Sequence, residues 1–220
     1  MFSIKKAITH RWQRNKPEIH DATISADWVG YEVLIDFIKR KSILDVAGDL
    51  LEIGAFLGGG TRKLCDLLAS TSPNKRLWVI DVFDPTFDWT TNTQGEAMSH
   101  LYVNALARFR GKTQWEIFQE NIKGCDNVTV IKSDSRVAQM GNAKLCFAFI
   151  DGNHDPLYVQ SDFHLAWNHL NPGGAIAFDD YGKDLPQTTS AIDELVAAHK
   201  SEISTFSVDE GRHLAYLTRK

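Results

Sequence analysis

Three aspartates and a histidine stand at the ends of two apolar runs in this 220-residue sequence. Asp151 follows the first run, with His154 three residues further on, and Asp179 and Asp180 close the second. Such runs are typical of buried parallel strands, which lie about 4.8 Å apart and end at one edge of a sheet. Carboxylates that meet there repel one another unless a cation or bound protons offset their charge. Oxygen ligands favour Mg²⁺, or Mn²⁺, over zinc, so Asp151, Asp179 and Asp180 are the candidate metal ligands. The alternative is that Asp179 or Asp180 only caps the next helix.

A glycine-rich segment indicates where a second ligand could bind. An apolar run up to Glu52 precedes Gly54, Gly58 and Gly59, after which apolar residues recur at helical spacing. Strand, glycine-rich turn and helix form the ligand-binding unit of doubly wound α/β folds. The second glycine of a dinucleotide fingerprint is missing, and the Glu52 carboxylate would repel a pyrophosphate but attract a sulfonium or ammonium group. Thr61 is placed to cap the helix. The alternative is an ordinary strand-to-helix turn.

Two further strand-like runs end in acids that could bind a nucleoside. Asp81 would face the crevice and accept hydrogen bonds from both ribose hydroxyls. Asp134 could accept a hydrogen bond from an adenine amine, and the backbone N–H of Ser135 could bond a ring nitrogen. The alternative for each acid is a loop carboxylate that caps the next element.

Together these residues resemble the motifs of the class I S-adenosylmethionine-dependent methyltransferases. The most specific part is Asp-Gly-Asn-His at 151–154, followed one helix later by Pro-Gly-Gly, a strand and Asp-Asp-Tyr at 179–181. This part is similar to the macrocin O-methyltransferase and cephalosporin-hydroxylase-like branch, and the resemblance covers about residues 45–200. It implies a Mg²⁺ held by Asp151, Asp179 and Asp180, and S-adenosylmethionine across the strand ends. The residues it assigns to the cofactor are Glu52, Gly54, Gly58, Gly59, Thr61, Asp81, Asp134 and Ser135.

One position departs from the resemblance and affects the predicted mechanism. Several metal-dependent relatives carry a second aspartate, proposed as general base, where this chain has Asn153. His154 is then the candidate base, with Asp151 as the other catalytic residue, because an unperturbed imidazole has a pKa near 6.5. The alternatives are a structural His154 or no dedicated base. The predicted reaction is an in-line displacement in which a metal-bound hydroxyl of a small molecule attacks the sulfonium methyl group.

The remaining pattern predicts one α/β domain over residues 26–220. Its sheet is expected to be doubly wound and mostly parallel, with helices on both faces and a C-terminal β-hairpin. The resemblance implies that this sheet has seven strands and that the hairpin is its antiparallel end. A helix capped by Ser25 or Asp27 should precede the first strand. The aromatic segment 82–95 is either a lid or substrate wall, or a plug in the core. Residues 1–25 form a basic arm that is either loosely held or covers the active site or a neighbouring subunit.

Composition and charge exclude several functional classes. A net charge of -4, from 24 basic and 28 acidic residues, argues against a nucleic-acid partner. There is no long apolar stretch or signal peptide, and three cysteines outside any C-x-x-C pattern suit a reducing compartment, so we expect a cytoplasmic protein without a membrane partner. A homo-oligomer is possible in principle. Two other functions stay open: a nucleoside-binding module that transfers nothing, and a hydroxylase-like enzyme on the same scaffold.

Overall fold

The computed structural model describes residues 29–182 and 184–220, which form a seven-stranded sheet flanked by helices. The strands are β1 (Asp49–Ile53), β2 (Leu77–Asp81), β3 (Val128–Lys132), β4 (Leu145–Ile150), β5 (Leu170–Phe178), β6 (Ile203–Asp209) and β7 (Leu214–Arg219). The α-helices are α1 (Glu32–Arg40), α2 (Gly59–Thr71), α3 (Met98–Leu106), α4 (Gln114–Asn121), α5 (Pro156–His169) and α6 (Pro186–Ala198). Two short 3₁₀ turns lie at Ile43–Asp45 and Ala107–Phe109.

The sheet has the strand order β3-β2-β1-β4-β5-β7-β6. The first five strands in this order run parallel, and β7 is antiparallel to both of its neighbours. The chain moves outward from β1 to β3 and then returns to build β4 on the other side of β1. This reversal leaves a crevice beyond the carboxyl ends of β1 and β4. The predicted seven-stranded, mostly parallel sheet with a terminal hairpin is confirmed.

Alternate residues of the central strands build two hydrophobic cores, one on each face of the sheet. Leu50 and Phe149 pack against α1, α2 and α4, whereas Leu51 and Ile150 pack against α5 and α6. Because both faces are covered, β4 consists of six buried residues in succession. The apolar runs of the sequence are therefore read correctly as parallel strands.

Two predicted helix starts are wrong. Helix α1 begins at Glu32, after Tyr31, with no side-chain cap. The expected caps Ser25 and Asp27 lie outside the described residues. Helix α2 begins at Gly59, and its N-cap is Gly58 in the left-handed region at φ 82°. Glycine adopts this conformation without strain, so the chain turns into the helix without a hydroxyl cap.

The aromatic segment after β2 combines both of its predicted roles. Phe83 is buried and packs against Trp115 and Phe118, with ring centroids 4.7 and 4.6 Å away. Phe87 lines the cavity described below, whereas Trp89 is 77% exposed. One ring of the segment therefore anchors it in the core while its later part forms a wall.

The predicted arm of residues 1–25 lies outside the described part of the chain, so that prediction and its domain boundary stay untested. Among the described residues, none of the helices combines the length and apolar character needed to cross a membrane.

Candidate active site

A cavity of about 270 Å³ opens at the carboxyl edge of the sheet, over the crevice between β1 and β4. Residues that follow β1, β2, β3, β4 and β5 line it, and α3 supplies part of its wall. Ligands of doubly wound folds bind at this position. Six of the predicted site residues line the cavity: Gly54, Asp81, Ser135, Asp151, Asp179 and Asp180.

The glycine-rich turn packs closely against neighbouring residues beneath the cavity. Gly54 has φ 86°, and a Cβ there would lie 1.8 Å from the carbonyl oxygen of Asp151. Gly60, which the sequence reasoning missed, lines the cavity, and a Cβ there would meet the Tyr31 ring at 2.1 Å. Gly58 and Gly59, by contrast, do not line the cavity. They shape the start of α2, so their predicted cofactor contacts find no support in this placement.

Glu52 lies beneath the cavity floor. It is fully buried and accepts hydrogen bonds from the Tyr31 hydroxyl at 2.6 Å and the Thr61 hydroxyl at 2.5 Å. Thr61 is itself fully buried, in the first turn of α2. Neither side chain lines the cavity. A charge on Glu52 would thus act on a bound cationic group through the floor rather than by direct contact.

Asp81 lines the cavity and also holds the glycine-rich turn. One carboxylate oxygen accepts hydrogen bonds from the backbone N–H groups of Ala55 and Phe56, at 2.8 and 2.9 Å. The other accepts from the N–H of Phe83 at 2.5 Å and from the Gln114 amide at 3.4 Å. Burial raises the pKa of Asp81 above its ordinary value, although these backbone hydrogen bonds oppose the rise. The predicted ribose contact would therefore come from a carboxylate that also fixes the backbone around it.

The residues after β3 divide between the cavity and the surface. Ser135 lines the cavity, but Asp134 does not. The Asp134 carboxylate forms an ion pair with Arg136 at 2.7 Å and accepts a hydrogen bond from the Tyr158 hydroxyl at 3.2 Å. These hydrogen bonds, above all that from Arg136, lower the pKa of Asp134. Tyr158 lines the cavity instead, so the predicted adenine contact of Asp134 finds no support in this placement.

Acidic groups meet at the ends of β4 and β5. One ligand atom from each of Asp151, His154 and Asp180 lies within 4.8 Å of the other two. The sequence had placed Asp179 in this group. In the structure His154 lies there, and Asp179 is close enough for its charge to raise the pKa of Asp151.

The buried imidazole of His154 is held between two carboxylates. Its Nδ1 contacts Oδ2 of Asp88, and its Nε2 lies 2.6 Å from Oδ2 of Asp180. The backbone N–H of His154 also donates to Asp88, which is buried and accepts two further hydrogen bonds from Thr90. Both ring nitrogens are thus engaged, and this arrangement does not favour the predicted role of His154 as a general base.

Burial and charge perturb the titration of this edge. Burial, reinforced by the charges of Asp179 and Asp180, raises the pKa of Asp151 well above its ordinary value of 3.8. Burial and the charge of Asp180 likewise raise the pKa of Asp179 well above 3.8. Burial alone would lower the pKa of His154, but its hydrogen bonds to Asp180 and Asp88 raise it well above 6.5. The edge therefore holds excess negative charge that protons or a cation would offset.

The residues at this edge fit a divalent cation. Two carboxylates and an imidazole converge, and repulsion among the carboxylates would fall if a cation bound. The predicted preference for Mg²⁺ assumed oxygen ligands only. Both ring nitrogens of His154 are already bonded to carboxylates, so the atoms offered to an ion are carboxylate oxygens, which suit Mg²⁺ or Mn²⁺.

Sequence reasoning missed two residues near the acidic edge because they come from distant segments. Asp88 lies 66 residues before His154, and no local pattern distinguishes it from the other acids of its loop. Tyr102, on α3, lines the cavity, and burial followed by the charges of Asp151 and Asp180 raises the pKa of its phenol well above 10. The phenol therefore keeps its proton and can donate a hydrogen bond.

Comparison with known proteins identifies the fold family. Residues 51–181, more than half of the chain, match the family model described as a methyltransferase domain. The chain belongs to this family. The resemblance to class I methyltransferases is thereby confirmed, and apart from Val29 and Tyr31 the described residues that line the cavity lie within the matched region.

Solved structures of methyltransferases share this fold. The O-methyltransferase NovP is 19% identical, with a TM-score of 0.67 over 87% of this chain and 80% of that one. CalS11, a TDP-rhamnose 3'-O-methyltransferase, is 16% identical, with a TM-score of 0.60 over 99% and 96%. TomG from Streptomyces achromogenes, solved with SAM, is 14% identical, with a TM-score of 0.53 over 100% of both chains. At these identities the likeness is one of fold.

A curated relative matches only a short segment. The uncharacterised protein R132 of Acanthamoeba polyphaga mimivirus is 43% identical over 51 residues. These residues make up 22% of the present chain and 23% of R132. The match thus spans less than a quarter of that relative.

Proposed function

We propose that the protein transfers a methyl group from S-adenosylmethionine to a hydroxyl group of a small molecule, with help from a divalent cation. The observation that carries the proposal is one cavity that joins the glycine-rich turn after β1 to the acidic edge at β4 and β5. The first suits a nucleoside cofactor and the second suits a hydroxyl group that must lose a proton. Membership of the methyltransferase-domain family and the fold shared with O-methyltransferases support it.

The cofactor would lie along the ends of β1, β2 and β3. Gly54 and Gly60 line the cavity, and because glycine has no side chain the turn can pack against Asp151 and Tyr31 beneath a bound ligand. Asp81 is available to the ribose, and Tyr158 and Ser135 lie where the base would stack or bond. The negative charge of Glu52 and of the acidic edge would favour the sulfonium group between them.

The acidic edge would hold the cation and the acceptor. Asp151 and Asp180 are the proposed ligands, with Asp179 beside them. A bound cation would lower the pKa of the acceptor hydroxyl. Most of the rest of the rate enhancement would come from holding the oxygen, the methyl carbon and the sulfur in line.

His154 and Asp88 act as positioning residues in this proposal. Since His154 bonds Asp88 through one ring nitrogen and Asp180 through the other, it fixes the orientation of the Asp180 carboxylate. A histidine that bridges two carboxylates in this way commonly orients a metal ligand. The aromatic segment that carries Asp88 is thereby tied to the reacting end of the cavity.

A methyl-transfer assay with labelled cofactor tests the proposal. The full chain is incubated with hydroxyl compounds, with Mg²⁺ or Mn²⁺ or with EDTA, and compared with Asp151→Asn and with Asp126→Asn in an exposed loop. We expect transfer that EDTA and Asp151→Asn reduce at least about a hundredfold, and that Asp126→Asn leaves unchanged. Transfer that withstands both EDTA and Asp151→Asn would refute cation assistance. Binding of S-adenosylhomocysteine without any transfer would favour a binding module instead.

A further inference from the structure

Acidic side chains dominate the charge of the cavity lining among the described residues. Six carboxylates line it: Asp81, Asp84, Asp88, Asp151, Asp179 and Asp180. Among the described residues, its lining includes no lysine, arginine or histidine. A site that binds a phosphate, sulfate or carboxylate normally offers basic side chains or a helix N-terminus to the anion. This lining offers the opposite charge.

Two cationic side chains close to the end of β3 have other partners. Arg136 forms an ion pair with Asp134 and lies over the Tyr158 ring, 4.1 Å from its centroid. Lys132 lies over the Trp115 ring at 5.1 Å. Both belong to the nucleoside end, beyond β3. The imidazole of His154 sits behind the wall, held between two carboxylates.

The cavity lining also includes apolar and aromatic side chains. Among them are Phe87, Met98, Leu101 and Tyr102. The rings of Tyr102 and Phe56 pack together, with centroids 5.4 Å apart. Such a wall stabilises the apolar body of a ligand by burying it, while the acids remain near the reacting group.

We propose that the acceptor is an alcohol or phenol with an apolar body and no negative charge. This inference rests on the proposed methyl transfer and specifies the class of acceptor for that reaction. Away from the proposed cation, an anionic group in this cavity would lose its hydration beside carboxylates and would meet no basic side chain of the described lining. A neutral or ammonium-bearing acceptor avoids that repulsion, so the lining selects against anions.

Acceptors of similar size that differ in charge test this selection. The full chain with Mn²⁺ is assayed on 4-ethylphenol, tyramine and 4-hydroxyphenylacetate, and on 4-methylcatechol, dopamine and 3,4-dihydroxybenzoate. Methyl transfer is measured, together with binding to the S-adenosylhomocysteine complex by saturation-transfer NMR. We expect the neutral and cationic members to exceed the anionic member about tenfold in kcat/KM or affinity.

The outcomes separate this inference from the proposed function. An anionic member that equals or exceeds its neutral match overturns the charge selection while methyl transfer stands. Binding of none of the six compounds by a protein that binds S-adenosylhomocysteine overturns the inference as well. Failure to bind S-adenosylhomocysteine overturns the proposed function and this inference together.

Asp84 allows the local charge to be changed without touching the proposed ligands. It is exposed at the cavity, and its carboxylate accepts hydrogen bonds from Thr86. Asp84→Lys should reduce the discrimination against anionic acceptors about threefold or more, and Asp84→Asn, which keeps an acceptor for Thr86, by a smaller factor. Glu194→Lys makes the same charge change on exposed α6, away from the lining, and should leave the ratio unchanged. Equal ratios in the wild-type and both Asp84 variants would overturn the inference.

Discussion

Replacing Asp162 by asparagine should make the protein more resistant to unfolding at alkaline pH. Asp162 lies on α5 and is fully buried. Among the described residues, neither of its carboxylate oxygens has a hydrogen-bond partner. A Cβ on Gly152 would lie 2.9 Å from its Oδ2, so the carboxyl packs directly under the cavity floor. Burial raises the pKa of Asp162 from 3.8 to about 7, although the Ser135 side chain opposes the rise.

The size of the effect follows from the two pKa values. Between pH 3.8 and about 7 the unfolded chain has released this proton while the folded chain keeps it. Stability from this group is therefore complete below the unfolded pKa and is lost as the pH rises through the folded pKa. At about 1.36 kcal/mol per pH unit, the loss between pH 5 and pH 8 is about 3 kcal/mol. Asparagine does not titrate and so removes this loss, although its buried amide carries a cost that is independent of pH.

Urea unfolding of the wild type and Asp162→Asn from pH 5 to pH 8 measures this contribution. Comparing the two proteins cancels the other groups that titrate in this range. We expect the free energy of unfolding of the variant, relative to the wild type, to increase by about 3 kcal/mol across the range and to level off above pH 7. A difference that does not change with pH would mean that Asp162 is ionised in the folded protein and would refute the reasoning.

Two further substitutions test the turn and the positioning residues. In urea unfolding experiments, Gly54→Ala should lower the free energy of unfolding by at least about 3 kcal/mol. The reason is that the added Cβ would meet the Asp151 carbonyl oxygen. Gly141→Ala, also at positive φ but with open space around it, should cost only about 1 kcal/mol, and equal costs would contradict the close approach. Asp88→Asn should lower kcat at least about tenfold and leave the affinity for S-adenosylhomocysteine in calorimetry unchanged, since Asp88 holds the imidazole at the acidic edge. An unchanged kcat would argue against that role.

The strands could be predicted from sequence because each local signal agrees with the global fold. Apolar runs that end in Glu52, Asp81 or Asp151 are too short for helices and too apolar for surface strands, so a parallel sheet covered on both faces is the remaining solution. The terminal hairpin follows from two alternating runs around a polar turn.

Side-chain direction and long-range pairing could not be read from the same pattern. The position of Glu52 in its strand does not show that its carboxylate faces Tyr31 beneath the floor rather than the cavity. Nor does the position of His154 reveal Asp88, because that contact depends on how a long irregular segment folds back over the strand ends. The predicted start of α2 was wrong for a related reason. Gly58 makes the turn into the helix through its backbone conformation, so no polar side chain marks this position in the sequence.

A crystal structure with S-adenosylhomocysteine and Mn²⁺, with an anomalous difference map, would test the arrangement of cofactor and cation most directly. We expect the nucleoside beside Asp81 and Ser135, the sulfur directed towards Asp151, and an anomalous peak within coordination distance of the Asp151 and Asp180 carboxylates. Cofactor bound outside this cavity, or manganese held at a different group of acids, would contradict the account.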